Sequence, residues 1–208
     1  MNDRKEHWET VYRTKRPDEV SWFQVEATLS LRLIEELVTD RAAPIIDVGG
    51  GASVLVSALD AAGYRNLTVL DLSAAAIAAS QARMGVRAAS VQWIAADILD
   101  VDLPAARYQF WHDRAGFHFL TEPAARARYA AQARRAVAPG GYLLVATFAE
   151  DGPTRCSGLD VVRYSPAALH AEFGAGFSFV DAHREEHQTP TGGLQAFTYC
   201  VCRRDRAS

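Results

Sequence analysis

The sequence predicts one α/β domain of the Rossmann-like type: a doubly wound, mostly parallel, seven-stranded sheet with helices on both faces and a C-terminal antiparallel hairpin. Three observations lead to this fold class. Short apolar runs alternate with helical patterns along most of the chain, as in a parallel sheet covered by helices. The last two strand-like runs have no helix between them, so they should pair as a hairpin. The 208 residues suit a single well-buried core.

The predicted elements follow one another in regular order after an aromatic-rich lead-in, residues 1–25. Leu29, Leu33 and Leu37 recur at helical spacing, and each predicted strand is a short apolar run. The predicted strands cover residues 44–48, 67–72, 91–95, 108–112, 142–148, 177–182 and 195–202. The predicted helices cover residues 29–38, 53–63, 74–84, 122–138 and 166–173. No linker divides the chain further, so residues 26–208 form one predicted domain.

Turn and cap residues set the predicted ends of these elements. Pro44 follows the first helix, and Ser53 can cap the second, which ends near Gly63. The segment Pro139-Gly140-Gly141 should stop the longest helix. A Thr-Pro-Thr-Gly-Gly turn joins the last two strands, which places the hairpin at one edge of the sheet.

Composition excludes several classes of protein. The net charge of −3 gives no general attraction to nucleic acid. Three cysteines cannot form a disulfide framework, and they fit a reducing compartment. The polar N-terminus lacks the apolar core of a secretory signal, and no stretch approaches the roughly 18 apolar residues of a membrane span. We therefore expect a cytoplasmic protein, a monomer or homodimer, with neither nucleic acid nor membrane as a partner.

Glycine and acidic residues follow three successive predicted strands. The segment Asp47–Gly51 lies between the first strand and a helix, where small residues let the backbone approach a ligand closely. Asp71 ends the second strand and can accept hydrogen bonds from both hydroxyls of a ribose. Asp97 follows the third strand and can accept one from an adenine amino group, while Ile98 packs on the ring. Charged groups gather at strand ends mainly when a polar ligand offsets their repulsion and desolvation.

This pattern resembles the class I S-adenosylmethionine-dependent methyltransferases. Asp47-x-Gly49-x-Gly51 matches that family's first motif, Asp71 its ribose-binding acid, and Asp97-Ile98 its adenine-contacting pair. Ser53 stands where the family has a third glycine. The lead-in, with Trp8, Tyr12 and a Pro-Asp-Glu-Val-Ser-Trp segment ending at Trp22, is also similar to a subgroup of small bacterial methyltransferases. The resemblance implies S-adenosylmethionine as the cofactor, with these contacts: Asp47, Gly49, Gly51, Asp71, Leu72, Asp97, Ile98 and Asp113.

The segment after the fourth strand supplies the candidate catalytic residues. Within positions 112 to 118 fall His112, Asp113, Arg114 and His118, and in the resembling family this segment borders the cofactor's methionine part and the acceptor. His112, Asp113 and His118 are therefore candidates for proton transfer or acceptor contact. His118 lies between two phenylalanines and can instead be a core residue. Asp113 can instead pair with Arg114 or cap the next element.

Aromatic residues of the lead-in could form a lid over the cofactor's sulfonium, whose positive charge favours aromatic faces, or simply pack on the sheet edge. Cys156 follows the fifth strand and could contact the acceptor or only fill space. The segment 183–187 matches a zinc pattern, but that pattern needs a helix whereas this stretch continues a strand, so no metal site is predicted. The predicted acceptor contacts are Tyr12, Trp22, Phe117, His118 and Cys156.

The function that follows is transfer of a methyl group from S-adenosylmethionine to an oxygen, nitrogen or sulfur atom of a small molecule. Two alternatives stay open: a protein-lysine methyltransferase, which a broad acidic groove would favour, and a non-catalytic cofactor-binding subunit. A nicotinamide-dependent oxidoreductase would require a phosphate-cradling third glycine and a Tyr-x-x-x-Lys pair, and the sequence has neither. An Asn-Pro-Pro-Tyr motif, typical of methylation on amide or base nitrogens, is also absent.

Overall fold

The computed structural model describes residues 3–206 and confirms the predicted fold class. In these residues the strands are β1 (Ile45–Val48), β2 (Leu67–Asp71), β3 (Val91–Ala95), β4 (Tyr108–Arg114), β5 (Val137–Phe148), β6 (Arg155–Cys156), β7 (Leu159–Asp160), β8 (Phe177–Gln188) and β9 (Leu194–Arg204). The helices are α1 (Asp3–Thr14), α2 (Thr28–Leu37), α3 (Leu55–Ala61), α4 (Ala74–Met84), α5 (Pro123–Ala136) and α6 (Pro166–Phe173). Short 3-10 turns cover residues 17–19, 85–90 and 117–119.

The main sheet has the strand order β3-β2-β1-β4-β5-β9-β8. β1 is an inner strand, parallel to both β2 and β4, and all four of its residues are buried. Asp47 lies beside Val69 of β2 and His112 of β4, and Val48 lies beside Asp113. Because these strands are parallel and in register, the acids that end or follow them meet at one edge of the sheet.

A separate hydrophobic core covers each face of the sheet. Successive residues of β4 point to opposite faces, so Phe110 belongs to one core and Trp111 to the other. Both side chains are fully buried. Fully burying a large apolar side chain contributes roughly 1.5–3 kcal/mol, so packing on both faces stabilises the strand.

The longest helix ends earlier than predicted. α5 ends at Ala136, and β5 begins at the next residue, so the segment Pro139-Gly140-Gly141 lies inside a strand rather than after a helix. Glycine is needed there because a Cβ on Gly141 would lie 2.9 Å from two backbone oxygens. The pairing of β4 with β5 is irregular at this point, between Tyr108 and Phe110.

The C-terminal hairpin is confirmed but is longer than predicted. β8 runs to Gln188 and pairs antiparallel with β9 as far as Leu194. The polar run from Asp181 onward has no apolar alternation, because β8 is the edge strand and most of its residues are exposed or half-buried.

The lead-in contains a helix, α1, that its sequence pattern did not indicate. α1 packs against α4 and lies over the carboxyl ends of the central strands.

The helix cap predicted at Ser53 is one residue early. Val54 directly precedes α3, although the Ser53 hydroxyl accepts a hydrogen bond from the N–H of Leu55 at 3.0 Å. Among residues 3–206, no helix has the length and apolar character needed to cross a bilayer.

Candidate active site

A cavity of about 360 Å³ opens at the carboxyl ends of β1 to β4, beneath α1. A smaller cavity, about 50 Å³, lies beside the glycine loop. Both share Tyr12, Trp22, Gly49 and Arg114 in their walls. A volume of this size suits a small organic ligand. The predicted site residues in the larger cavity's wall are Tyr12, Trp22, Gly49, Asp71, Leu72, Asp97, Ile98 and Asp113.

The glycine loop rests directly on two of the predicted acids. Gly49 adopts a φ of +71°, a conformation that favours glycine. A Cβ on Gly50 would lie 2.1 Å from a carboxylate oxygen of Asp47, and one on Gly51 would lie 2.7 Å from a carboxylate oxygen of Asp71. Side chains at these two positions would displace the acids, so the loop needs glycine to pass this close to them.

Asp71 holds the loop and also lines the larger cavity. Its Oδ2 accepts a hydrogen bond from the N–H of Gly51 at 2.9 Å, and its Oδ1 accepts one from the N–H of Ser73 at 2.8 Å. Burial raises the pKa of Asp71 to about 6, while these two bonds lower it. The carboxylate retains lone pairs for donors within the cavity, beside Leu72.

Asp97 is shared between the sheet and α1. Its Oδ1 accepts a hydrogen bond from the N–H of Leu99 at 3.0 Å. Its Oδ2 lies 2.6 Å from the guanidinium of Arg4, which comes from α1. Ile98 lies next to it in the cavity wall. The acid at the end of β3 therefore also anchors the lead-in helix.

Asp47 and His112 form a buried pair under the glycine loop. His112 Nδ1 lies 2.7 Å from Asp47 Oδ1, and His112 Nε2 lies 2.9 Å from the hydroxyl of Ser30 on α2. Both side chains are almost fully buried, and Asp47 Oδ2 is buried without a hydrogen-bond partner. His112 thus lines the smaller cavity and fixes Asp47, rather than lying on the wall of the larger one.

Asp113 caps the turn that follows β4. It is fully buried and accepts hydrogen bonds from the N–H groups of Gly116 at 2.8 Å and Phe117 at 3.1 Å. The hydroxyl of Tyr129 donates a third bond at 2.6 Å. Burial raises the pKa of Asp113 to about 6. Of the two structural alternatives predicted for Asp113, capping is the one the structure contains.

Arg114 pairs with Glu185 of β8, not with Asp113. Its guanidinium lies 2.9 Å from a Glu185 carboxylate oxygen and donates to the Tyr199 hydroxyl at 2.8 Å and to the Trp22 carbonyl at 3.1 Å. Gln24 also donates to Glu185 at 3.0 Å. These contacts connect the lead-in to the sheet where the two cavities meet. No sequence pattern indicated Glu185 or Tyr199 as site residues.

His118 is buried in the core, away from both cavities. It is fully buried, its ring packs on Phe119 and Phe148, and its Nδ1 accepts a 3.3 Å hydrogen bond from the N–H of Phe148. Burial lowers the pKa of His118 to about 3, so the ring is neutral near pH 7. Phe117 is likewise buried, against Tyr129. The structure therefore supports the core interpretation of His118. It also places Phe117, predicted as an acceptor contact, in the core.

Four aromatic side chains, Trp8, Tyr12, Trp22 and Phe119, form what we call the aromatic wall of the larger cavity. The Trp8 ring centre lies 4.9 Å from that of Phe119 and 5.5 Å from that of Trp22. The ring centres of Tyr12 and Trp22 lie 6.3 Å apart.

Cys156 lines neither cavity. Its sulfur lies 3.9 Å from the Ser21 hydroxyl, and burial raises its pKa to about 11.

α1 is attached at both sides of the larger cavity. Arg4 holds Asp97 at the end of β3, and Glu9 accepts a 2.7 Å hydrogen bond from the N–H of Ala74 at the start of α4. A carboxylate at a helix N-terminus is favoured by the helix dipole and by the unpaired N–H groups there. Neither Arg4 nor Glu9 was predicted, because their partners lie more than 60 residues away.

Comparison with known proteins agrees with this geometry. The model of a methyltransferase domain family matches residues 45–141, from β1 into β5. A search of curated proteins finds no match.

Solved structures are similar over nearly the whole chain. One, from work on conversion of a disulfide bond into a thioacetal group in echinomycin biosynthesis, has a TM-score of 0.79 at 22% identity, covering 99% of this chain and 94% of that one. The 1,6-didemethyltoxoflavin-N1-methyltransferase of Burkholderia thailandensis, solved with its substrate and S-adenosylhomocysteine, has a TM-score of 0.76 at 22% identity, covering 97% and 87%. The N-methyltransferase NodS of Bradyrhizobium japonicum has a TM-score of 0.68 at 18% identity, covering 85% and 84%. At these identities the similarity establishes the fold.

Proposed function

We propose that the chain is a class I methyltransferase that binds S-adenosylmethionine and transfers its methyl group to a small-molecule acceptor. The observation that carries the proposal is that Asp71 and Asp97 line the larger cavity while Asp47 and the glycine loop line the smaller one, and that both cavities share Gly49 in their walls. When bound, the cofactor supplies an electrophilic methyl group on a sulfonium. The protein positions that group and the acceptor and excludes water.

Two features of the site fit this cofactor. The buried Asp47 oxygen without a partner lies by the smaller cavity, where a cationic amino group would satisfy it. Asp71 offers a carboxylate to paired hydroxyls, and Leu72 and Ile98 offer apolar faces to a purine. The residues of the larger cavity would hold the adenosine part, and those of the smaller cavity, which shares Gly49 with it, would hold the methionine part.

The covered cavity favours a small molecule over a protein side chain as acceptor. α1 lies across the opening and is attached by Arg4 and Glu9, and the aromatic wall forms one side. A protein substrate would need an open groove for its backbone. Two proteins of similar structure, the Burkholderia 1,6-didemethyltoxoflavin-N1-methyltransferase and NodS, are N-methyltransferases, which supports methyl transfer to a small molecule here.

Turnover by the purified chain tests this proposal. The chain is incubated with S-adenosylmethionine and panels of thiols, phenols, amines, carboxylic acids and nitrogen heteroaromatics, and S-adenosylhomocysteine is measured by mass spectrometry. We expect release with at least one small-molecule panel and none with lysine-containing peptides. Release with peptides alone would favour the protein-lysine alternative, and cofactor binding without any release would favour a non-catalytic subunit.

A further inference from the structure

The aromatic wall gives the acceptor side of the cavity its chemistry. Three of its rings meet at centre distances of 4.9 and 5.5 Å, and Leu159 of β7 lines the same cavity. Aromatic faces accept flat rings by offset or edge contacts, and their negative faces attract positive charge. This lining therefore favours a planar acceptor and a positive charge that develops on it.

The charges around the cavity disfavour an anionic acceptor. Arg4 and Arg114 are the cations among the described residues of its wall, and each is already paired, with Asp97 and Glu185 respectively. The wall also includes Asp71, Asp113 and Asp160. A carboxylate, phenolate or thiolate would lose its hydration here without gaining an unpaired cation, which is unfavourable.

The acidic side chains of this wall already accept hydrogen bonds or form ion pairs, so none of them is available as a general base. Asp71 accepts two backbone hydrogen bonds, and Asp113 accepts two backbone bonds and one from Tyr129. Burial raises the pKa of Tyr12 well above its usual value. Asp160 lies exposed at the rim, ion-paired with Arg155. An acceptor atom that must first lose a proton, such as a phenol, a thiol or an alkylammonium, finds no side chain here poised to take it.

We infer that the acceptor is a planar heteroaromatic molecule that is methylated on a neutral ring nitrogen, with Trp8 as the residue that most determines this specificity. This inference rests on the proposed function. A weakly basic ring nitrogen is uncharged near pH 7 and has an in-plane lone pair. It therefore needs neither a cation to bind it nor a base to activate it.

The transfer step balances without proton movement. The nitrogen lone pair forms the bond to the methyl carbon, the carbon–sulfur bond breaks, and its electron pair goes to sulfur. The positive charge passes from sulfur to the acceptor ring, where the aromatic wall stabilises it. Trp8, which belongs to α1 and contacts both Phe119 and Trp22, brings this stabilisation when the helix covers the cavity.

Binding of three matched bicyclic probes to the wild-type chain saturated with S-adenosylhomocysteine tests the inference. The probes are N-methylisoquinolinium, isoquinoline and 1-naphthoate, compared by calorimetry at mildly alkaline pH. We expect the methylated cation to bind at least about tenfold more tightly than the carboxylate, with neutral isoquinoline between them. Trp8→Leu should remove most of that preference, and Phe119→Leu should remove a smaller part of it. Phe179→Leu, a change of a half-exposed ring on the edge strand, should leave it intact.

The outcomes separate this inference from the proposed function. If S-adenosylhomocysteine does not bind, the proposed function fails and the inference fails with it. If it binds but the carboxylate probe binds as well as the cation, only the inference is overturned. The inference is also overturned if the preference for the cation persists in Trp8→Leu, or if none of the three probes binds.

Discussion

At the scale of single residues, Asp71 links the glycine loop to the cavity. Asp71→Ala should weaken S-adenosylhomocysteine binding by about 2–4 kcal/mol, because paired ribose hydroxyls lose a charged acceptor. Calorimetry measures the change, and circular dichroism checks that the variant is folded. The matched control is Asp160→Ala, which removes an exposed carboxylate from the rim of the same cavity. Unchanged affinity in a folded Asp71→Ala variant would show that Asp71 is not the ribose ligand.

Asp113 should make the unliganded protein more stable in mild acid. Burial raises its pKa from 3.8 to about 6, so its folded form holds a proton over a range where the unfolded chain does not. The resulting stability, about 3 kcal/mol, is present below about pH 4 and is lost as pH rises through about 6. Asp113→Asn should therefore flatten the rise in free energy of unfolding seen between about pH 7 and about pH 5. Urea titrations with identical pH dependence in both proteins would contradict this expectation.

His118 should act as a core residue. His118→Gln keeps an acceptor near the N–H of Phe148, and we expect it to leave cofactor affinity unchanged while lowering the free energy of unfolding by about 1–3 kcal/mol. A variant with intact affinity and stability but strongly reduced turnover on an identified acceptor would restore His118 as a catalytic candidate.

At the scale of secondary structure, α1 is the element that covers the site. We propose that the lead-in, residues 1–25, orders over the loaded cofactor. Its deuterium uptake should fall when S-adenosylhomocysteine is added, because the covering helix then gains the ligand as a packing surface. Equal uptake with and without the ligand would show that the lead-in is only a packed edge of the domain.

The contacts of Arg4 and Glu9 should determine how long the ligand stays bound. Arg4→Ala should accelerate release of S-adenosylhomocysteine about two- to fivefold, as expected for loss of a partly exposed ion pair. Stopped-flow displacement measures this rate. Lys5→Ala, an exposed change on the same helix, is the control. Equal release rates from the two variants would mean that the Arg4–Asp97 pair does not hold the helix over the ligand.

The sequence predicted the strands better than it predicted the lead-in helix and the hairpin limits. Buried parallel strands are continuous apolar runs, and β1 to β3 were placed almost to the residue. α1 was missed because the face that covers the cavity mixes Trp8 and Tyr12 with the charged Arg4, which weakens the apolar periodicity. The outer half of β8 was missed because an edge strand exposed to water has no apolar alternation to detect.

At the scale of the whole molecule, the parallel topology made the cofactor half of the site predictable. Carboxyl ends of parallel strands meet at one edge, so acids spread over 50 residues of sequence could be expected around one cavity. The pairs Arg114–Glu185 and Arg4–Asp97 could not, because they join positions 71 and 93 residues apart, and no local pattern encodes such contacts. The acceptor side depends on these long-range contacts, which is why the sequence alone left the acceptor open.

Whether this domain binds S-adenosylmethionine is decided by calorimetric titration of the purified chain with S-adenosylhomocysteine and, separately, with NADH. We expect saturable binding of S-adenosylhomocysteine at one site per chain and no binding of NADH, because the glycine loop and the three acids suit a nucleoside with a cationic amino acid tail rather than a pyrophosphate. Tight NADH binding with no response to S-adenosylhomocysteine would contradict it.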